Sequence, residues 1–81
     1  MDKNQAIQSP KDIGTAVRHA RKRQGLKQAE AAGLLGVGVR FLSELERGKD
    51  TLALGKVLQV MRGLGLQIDV YDKSMPEKGG V

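Results

Sequence analysis

Apolar residues recur with a helical period along most of this chain and with a period of two near its end. Ile13, Ala16, Val17 and Ala20 share one face of a first helix. Ser9-Pro10-Lys11-Asp12 opens that helix: serine can cap, proline suits the first helical position, and an acid follows three residues after the serine. Gly25 ends it. A second helix is predicted over 28–35, burying Ala31, Ala32 and Leu35. Lys27 holds its cap position with unsuitable side-chain chemistry, Glu30 sits at its third position, and Gly33 weakens its interior by roughly 1 kcal/mol relative to alanine. Gly36 can stop this helix in the left-handed conformation and Gly38 can start the next. The third helix, over 39–47, buries Leu42, Leu45 and part of Phe41, and Gly48 ends it. After a loop over 49–53, Leu54, Val57, Leu58, Met61 and Leu64 mark a fourth helix.

Beyond Gly65 the pattern alternates: Leu66, Ile68 and Val70 against Gln67, Asp69 and Tyr71, which reads as a strand over 66–72. A strand needs a neighbour for its N–H and C=O groups, and only the short, polar "NQAIQ" at 4–8 competes for that role within the chain. The simplest partner is the same strand of a second copy, placing Leu66, Ile68 and Val70 of both on one apolar face. The organisation expected is therefore a loose arm over 1–8, a helical domain over 9–65, a dimerisation strand over 66–72 and a loose tail over 73–81.

Length supports the partner. A unit of 81 residues buries only about 60% of its chain surface. With no cysteine, neither a disulfide nor a thiolate metal site can reinforce it, and the one histidine, His19, makes no metal site without carboxylate partners. No apolar run reaches the roughly 20 residues that span a bilayer, and "MDKNQAIQSP" lacks a signal-peptide core, so the expected location is the cytoplasm. Fourteen basic residues against nine acidic give a net charge of +5, which points to a polyanionic partner. Phe41 and Tyr71 are too few aromatics for a platform that stacks single-stranded bases.

Two short helices joined by "LGVG" make a helix-turn-helix, with Ala31, Ala32 and Leu35 packed on Leu42 and Leu45. The opposite face of the third helix carries Val39, Arg40, Ser43 and Glu44, and such a helix fits the major groove of B-form DNA. The stretch "GLKQAEAAGLLGVGVRFLSELERGK" resembles the core of Cro/CI-type (XRE) repressors. Extended through "TLALGKVLQVMRGLGLQIDV", it is most similar to HipB-type antitoxins, which pair with HipA-type kinase toxins and repress their own operon.

The resemblance implies a mainly α fold: a four-to-five-helix, lambda-repressor-like domain with one C-terminal β-strand pairing across a homodimer. It implies double-stranded DNA as a partner and a HipA-like kinase toxin as a possible one; the residues themselves offer no nucleophile–base pair, metal cluster or carboxylate cleft, so neither a cofactor nor an enzymatic activity is expected. It places Gln28 and Lys49 at backbone phosphates, and Gly38, Val39, Arg40, Ser43 and Glu44 at the DNA-facing positions of the recognition helix. It also pairs Arg21 of the first helix with Glu46 at the end of the third. Two residues depart from the family pattern. Lys27 replaces a serine or threonine cap and can add a phosphate contact, while Gly38 removes a side-chain base contact. Glu44 suits DNA only where it accepts from a cytosine amino group.

Blander readings stand beside these. Arg40 can be a solvated arginine, Arg21 and Glu46 two unrelated surface charges, and "RHARKR" at 18–23 mostly a solvated face. The spacing Gly36-x-Gly38 lacks the third glycine and preceding strand of a dinucleotide loop. An enzyme built on Ser43 and His19 lacks an orienting acid and a pocket. A stand-alone Cro/CI-like regulator, or a protein-binding module using the motif as scaffold, are the alternatives to the antitoxin.

Overall fold

Ser9 caps the first helix as its sequence suggests. Its backbone is extended, its Oγ accepts the Asp12 N–H at 3.4 Å, and the Asp12 carboxylate accepts the Gln8 N–H at 2.8 Å. The computed structural model describes residues 5–74, so parts of the predicted arm and tail lie outside the described residues. Four helices follow in order: α1 (Pro10–Arg23), α2 (Gln28–Leu35), α3 (Val39–Glu46) and α4 (Leu54–Gly63). Lys27 heads α2 without a side-chain capping bond; the Glu30 carboxylate instead accepts the Lys27 N–H at 2.8 Å. Gly36 stops α2 at φ 75°, a left-handed conformation that glycine adopts without steric cost, and Gly38 heads α3 in an extended one. Helix α3 is one residue shorter than the sequence suggests, because Arg47 serves as its C-cap.

The core is small and apolar. Val17 and Ala20 of α1, Ala31 and Ala32 of α2, Leu42 and Leu45 of α3, and Val57, Val60, Met61 and Leu64 around α4 are buried. The stripe on α4 differs from the predicted one. Leu54, its first residue, is 66% exposed, while Val60 is fully buried. A residue in the first turn projects back past the helix start, where none of the described residues buries it. Val57, Val60, Met61 and Leu64 restore the i, i+3, i+4, i+7 spacing, rotated by part of a turn.

The strand expected over 66–72 is not formed within the single chain. No strand occurs among the described residues. Leu66 packs partly against the core and its N–H donates to the Met61 carbonyl at 2.8 Å, but Val70 is 88% exposed. Alternation alone cannot make a ladder where the described residues supply no second strand. The segment leaves the domain from an anchored point, since the Gln24 side-chain amide, just past α1, donates to the Leu64 carbonyl at 2.9 Å.

Helices α1 and α3 meet at Gly14. A β-carbon there would lie 2.5 Å from the Leu45 carbonyl oxygen and 2.7 Å from that of Glu46, both rigid backbone atoms. Gly14→Ala is therefore expected to destabilise the domain by about 1–3 kcal/mol, despite alanine's better helix propensity. Urea denaturation checks this, and an unchanged or raised midpoint would show that the two helices can separate at little cost.

Candidate nucleic-acid interface

Three helices are tied together by one carboxylate. Glu46, the last residue of α3, accepts from Arg21 of α1 through both oxygens: Nε at 2.6 Å and a terminal guanidinium nitrogen at 2.8 Å. Gln28, the first residue of α2, donates its side-chain amide to the same carboxylate at 3.0 Å. The remaining Arg21 guanidinium nitrogen donates to the Leu26 carbonyl at 2.8 Å, fixing the turn between α1 and α2. The pair is buried, with side-chain exposures of 8% for Arg21 and 4% for Glu46. Burial pushes the Glu46 carboxyl up. The hydrogen bonds from Arg21 and Gln28 and the charges of Arg21 and Arg18 outweigh that and hold it below the usual range. The angle of α3 against α1 and α2 is thus set by charge-assisted hydrogen bonds as well as by Leu42 and Leu45.

With that angle fixed, α3 presents Val39, Arg40 and part of Ser43 and Glu44 outward. Arg47 donates to the Ser43 Oγ at 2.8 Å, which turns its guanidinium back along the helix. Glu44 accepts from Arg40 at 3.4 Å and from Lys49 at 3.2 Å. The hydrogen bond from Lys49 foremost, with the charges of Lys49 and Arg40, holds its carboxyl below the usual range. Lys27 and Gly38 are exposed at the starts of α2 and α3. Gln28 is half-buried, with its amide turned toward Glu46.

Sequence reasoning passed over a second basic feature. Lys11, Arg18 and Lys22 share a face of α1, and with Arg47 from the end of α3 they surround an open depression of about 640 Å³. The acid at its edge, Glu46, is already engaged by Arg21. The spacing 11, 18, 22 was visible as one helical face. Its juxtaposition with Arg47 required the packing of α3 on α1. Among the described residues no group of histidine, aspartate and glutamate could hold a metal ion, and no helix is long and apolar enough to cross a membrane.

A protein-family model described as "Helix-turn-helix domain" matches residues 12–72, spanning all of α2, α3 and α4. The chain belongs to the XRE-type helix-turn-helix family. Within it, the chain is 55% identical over 64 residues to an HTH-type transcriptional regulator of Sinorhizobium fredii, y4mF, itself uncharacterised, covering 79% of this chain and 84% of that protein. Among solved structures, a HipB variant in complex with an O2 20mer superposes with a TM-score of 0.77 at 27% identity, covering 88% of this chain and 99% of that one. HipB in a HipA–HipB–O2–O3 complex gives 0.76 at 26% identity, with coverages of 86% and 99%. The restriction-modification controller protein C.AhdI of Aeromonas hydrophila gives 0.62 at 26% identity, with coverages of 72% and 84%. This helix-turn-helix protein is thus a transcriptional regulator with a DNA-binding fold like that of HipB.

Proposed function

We propose that the protein is a sequence-specific repressor that binds an inverted-repeat operator as a homodimer, and that it is the antitoxin of a HipA-type kinase toxin, repressing its own operon. The observation that carries the DNA reading is the tether at Glu46, which holds α3 rigidly with Val39, Arg40 and Ser43 outward. Base edges in the major groove are read by side chains near the start of such a helix. In this reading Arg40 reads a base edge, Gly38 lets the backbone come close, Lys27 and Lys49 meet phosphates, and Gln28 meets one only through the amide hydrogen that it does not give to Glu46. The basic depression on α1 continues the phosphate track past the end of α3. The likeness to HipB, solved both with DNA and with HipA, supports the antitoxin role. The likeness to C.AhdI favours a second reading, a regulator that acts without a toxin. A kinase-like open reading frame beside the gene, and co-purification of its product, would decide for the first.

The DNA reading is tested by titrating the protein's own upstream duplex and a shuffled one across a salt series. Arg40→Ala is expected to weaken binding to the upstream duplex by roughly 1–3 kcal/mol and to leave the shuffled duplex nearly unaffected. Lys27→Ala should weaken both alike and reduce the magnitude of the log–log salt slope by about 0.9, whereas Gln28→Ala, which removes no charge, should leave the slope in place. Unchanged affinity for the upstream duplex in Arg40→Ala would remove its base contact. Wild-type binding that vanishes at modest salt on every sequence would favour a protein-binding scaffold.

A further inference from the structure

Glu44 stands where the local rules of helix stability argue against an acid. It lies in the last turn of α3, at the end where the helix dipole disfavours negative charge. Its helical partner, Arg40, precedes it by four residues, the less favourable order for an i,i+4 ion pair. The acid nevertheless draws in two cations through one oxygen: Arg40 from its own helix and Lys49 from the loop beyond. Its side chain is 16% exposed, while those of Lys49 and Arg40 are 46% and 89% exposed and reach it from the solvent side. A residue that works against its own helix and occupies two cations of the interface has its rationale at the interface.

We propose that Glu44 is a positioning residue that sets specificity by withholding Arg40 and Lys49 from arbitrary DNA, and that its matching partner is a G·C pair. This rests on the DNA-binding reading above and names the base chemistry within it. On arbitrary DNA two outcomes are open, both weak. The cations stay on Glu44, which cancels one of their two charges, or they leave it and strand a carboxylate beside the phosphate backbone. On a G·C pair the exchange closes: Arg40 donates to guanine O6 and N7, and the cytosine amino group donates to Glu44 in place of a cation. Lys49 then turns to a phosphate. The clasp is thus a device that lowers affinity for the wrong partner.

The test compares wild type with Glu44→Gln, which keeps shape and removes charge, on the upstream and shuffled duplexes across a salt series. Removing the one carboxylate returns one net positive charge to the interface, which steepens the log–log slope by about 0.9, equivalent to about an eightfold gain near 0.1 M salt. The shuffled duplex should therefore bind Glu44→Gln roughly tenfold more tightly, with a steeper slope, and the ratio of upstream to shuffled affinity should fall. Adding Lys49→Ala should return the slope toward the wild-type value. Unchanged shuffled affinity and slope would overturn the proposal, as would equal weakening on both duplexes at constant slope, which marks a merely structural residue. A wild type that binds neither duplex removes the DNA-binding reading itself. A wild type that binds both duplexes alike, with Glu44→Gln still gaining affinity and slope, removes the operator reading and leaves the clasp.

Discussion

Arg21→Ala is expected to cost this domain about 3–5 kcal/mol, because it strands a buried Glu46 carboxylate with the Gln28 amide as its remaining side-chain donor. At roughly 0.05–0.15 kcal/mol per residue, a chain of 81 residues has about 4–12 kcal/mol in all. Much of the population should unfold at moderate temperature. Glu46→Ala should cost a similar amount by stranding the guanidinium, and the double variant should cost clearly less than the two together. Additive losses below a kilocalorie in that cycle would mean two independent charges. The pair also predicts a pH dependence. The folded carboxyl of Glu46 lies below its unfolded value near about 4.3. Its contribution is complete above that unfolded value and is lost as pH falls through the folded one. Arg21 stays charged throughout. The wild type should thus lose stability on acidification from neutral pH to about 3 more steeply than Glu46→Gln, as read from urea midpoints along the series.

The second large effect is expected from a residue that touches no DNA. In the proposed dimer, residues 66–72 pair antiparallel with their copies, and Leu66, Ile68 and Val70 meet on one face. Leu58 and Met61 of α4 adjoin Leu66 and Ile68 around a shallow groove of about 540 Å³ that pairing would help to cover. Ile68→Asp places charge on that face. Sedimentation should show the wild type as a dimer at micromolar concentration and the variant as a monomer. Operator affinity should fall by more than the roughly 5- to 160-fold expected of Arg40→Ala, because two recognition helices about one DNA turn apart are lost as a unit. A monomeric wild type would refute the dimer. A dimer that survives Ile68→Asp would move the interface to α4, where Leu54 is already exposed.

How much of this was legible beforehand depended on distance along the chain. Caps and stops are local, and Ser9, Gly36 and Gly38 act where the sequence placed them. Periodicity found α4 and the burial of Val57, Met61 and Leu64, but it included Leu54, which its place in the first turn exposes, and left out Val60. The Arg21–Glu46 contact spans 25 residues and was accessible only through resemblance. Nothing in composition said that Glu46 would also hold Gln28, or that Glu44 would hold Lys49 as well as Arg40. The basic face of α1 looked like ordinary solvated charge until α3 brought Arg47 beside it. The alternation over 66–72 finds no neighbouring strand among the described residues, and the partner proposed for it belongs to a second copy.

The bond from Gln24 to the Leu64 carbonyl acquires a meaning in such a dimer. The C-terminal segment becomes a ruler that sets the gap between two reading heads, and Gln24 is the pin that fixes the ruler's zero to α1. In the proposed dimer, α3 sets base choice, while Gln24 is one of the anchors of the segment whose pairing sets the spacing between half-sites, far from any base.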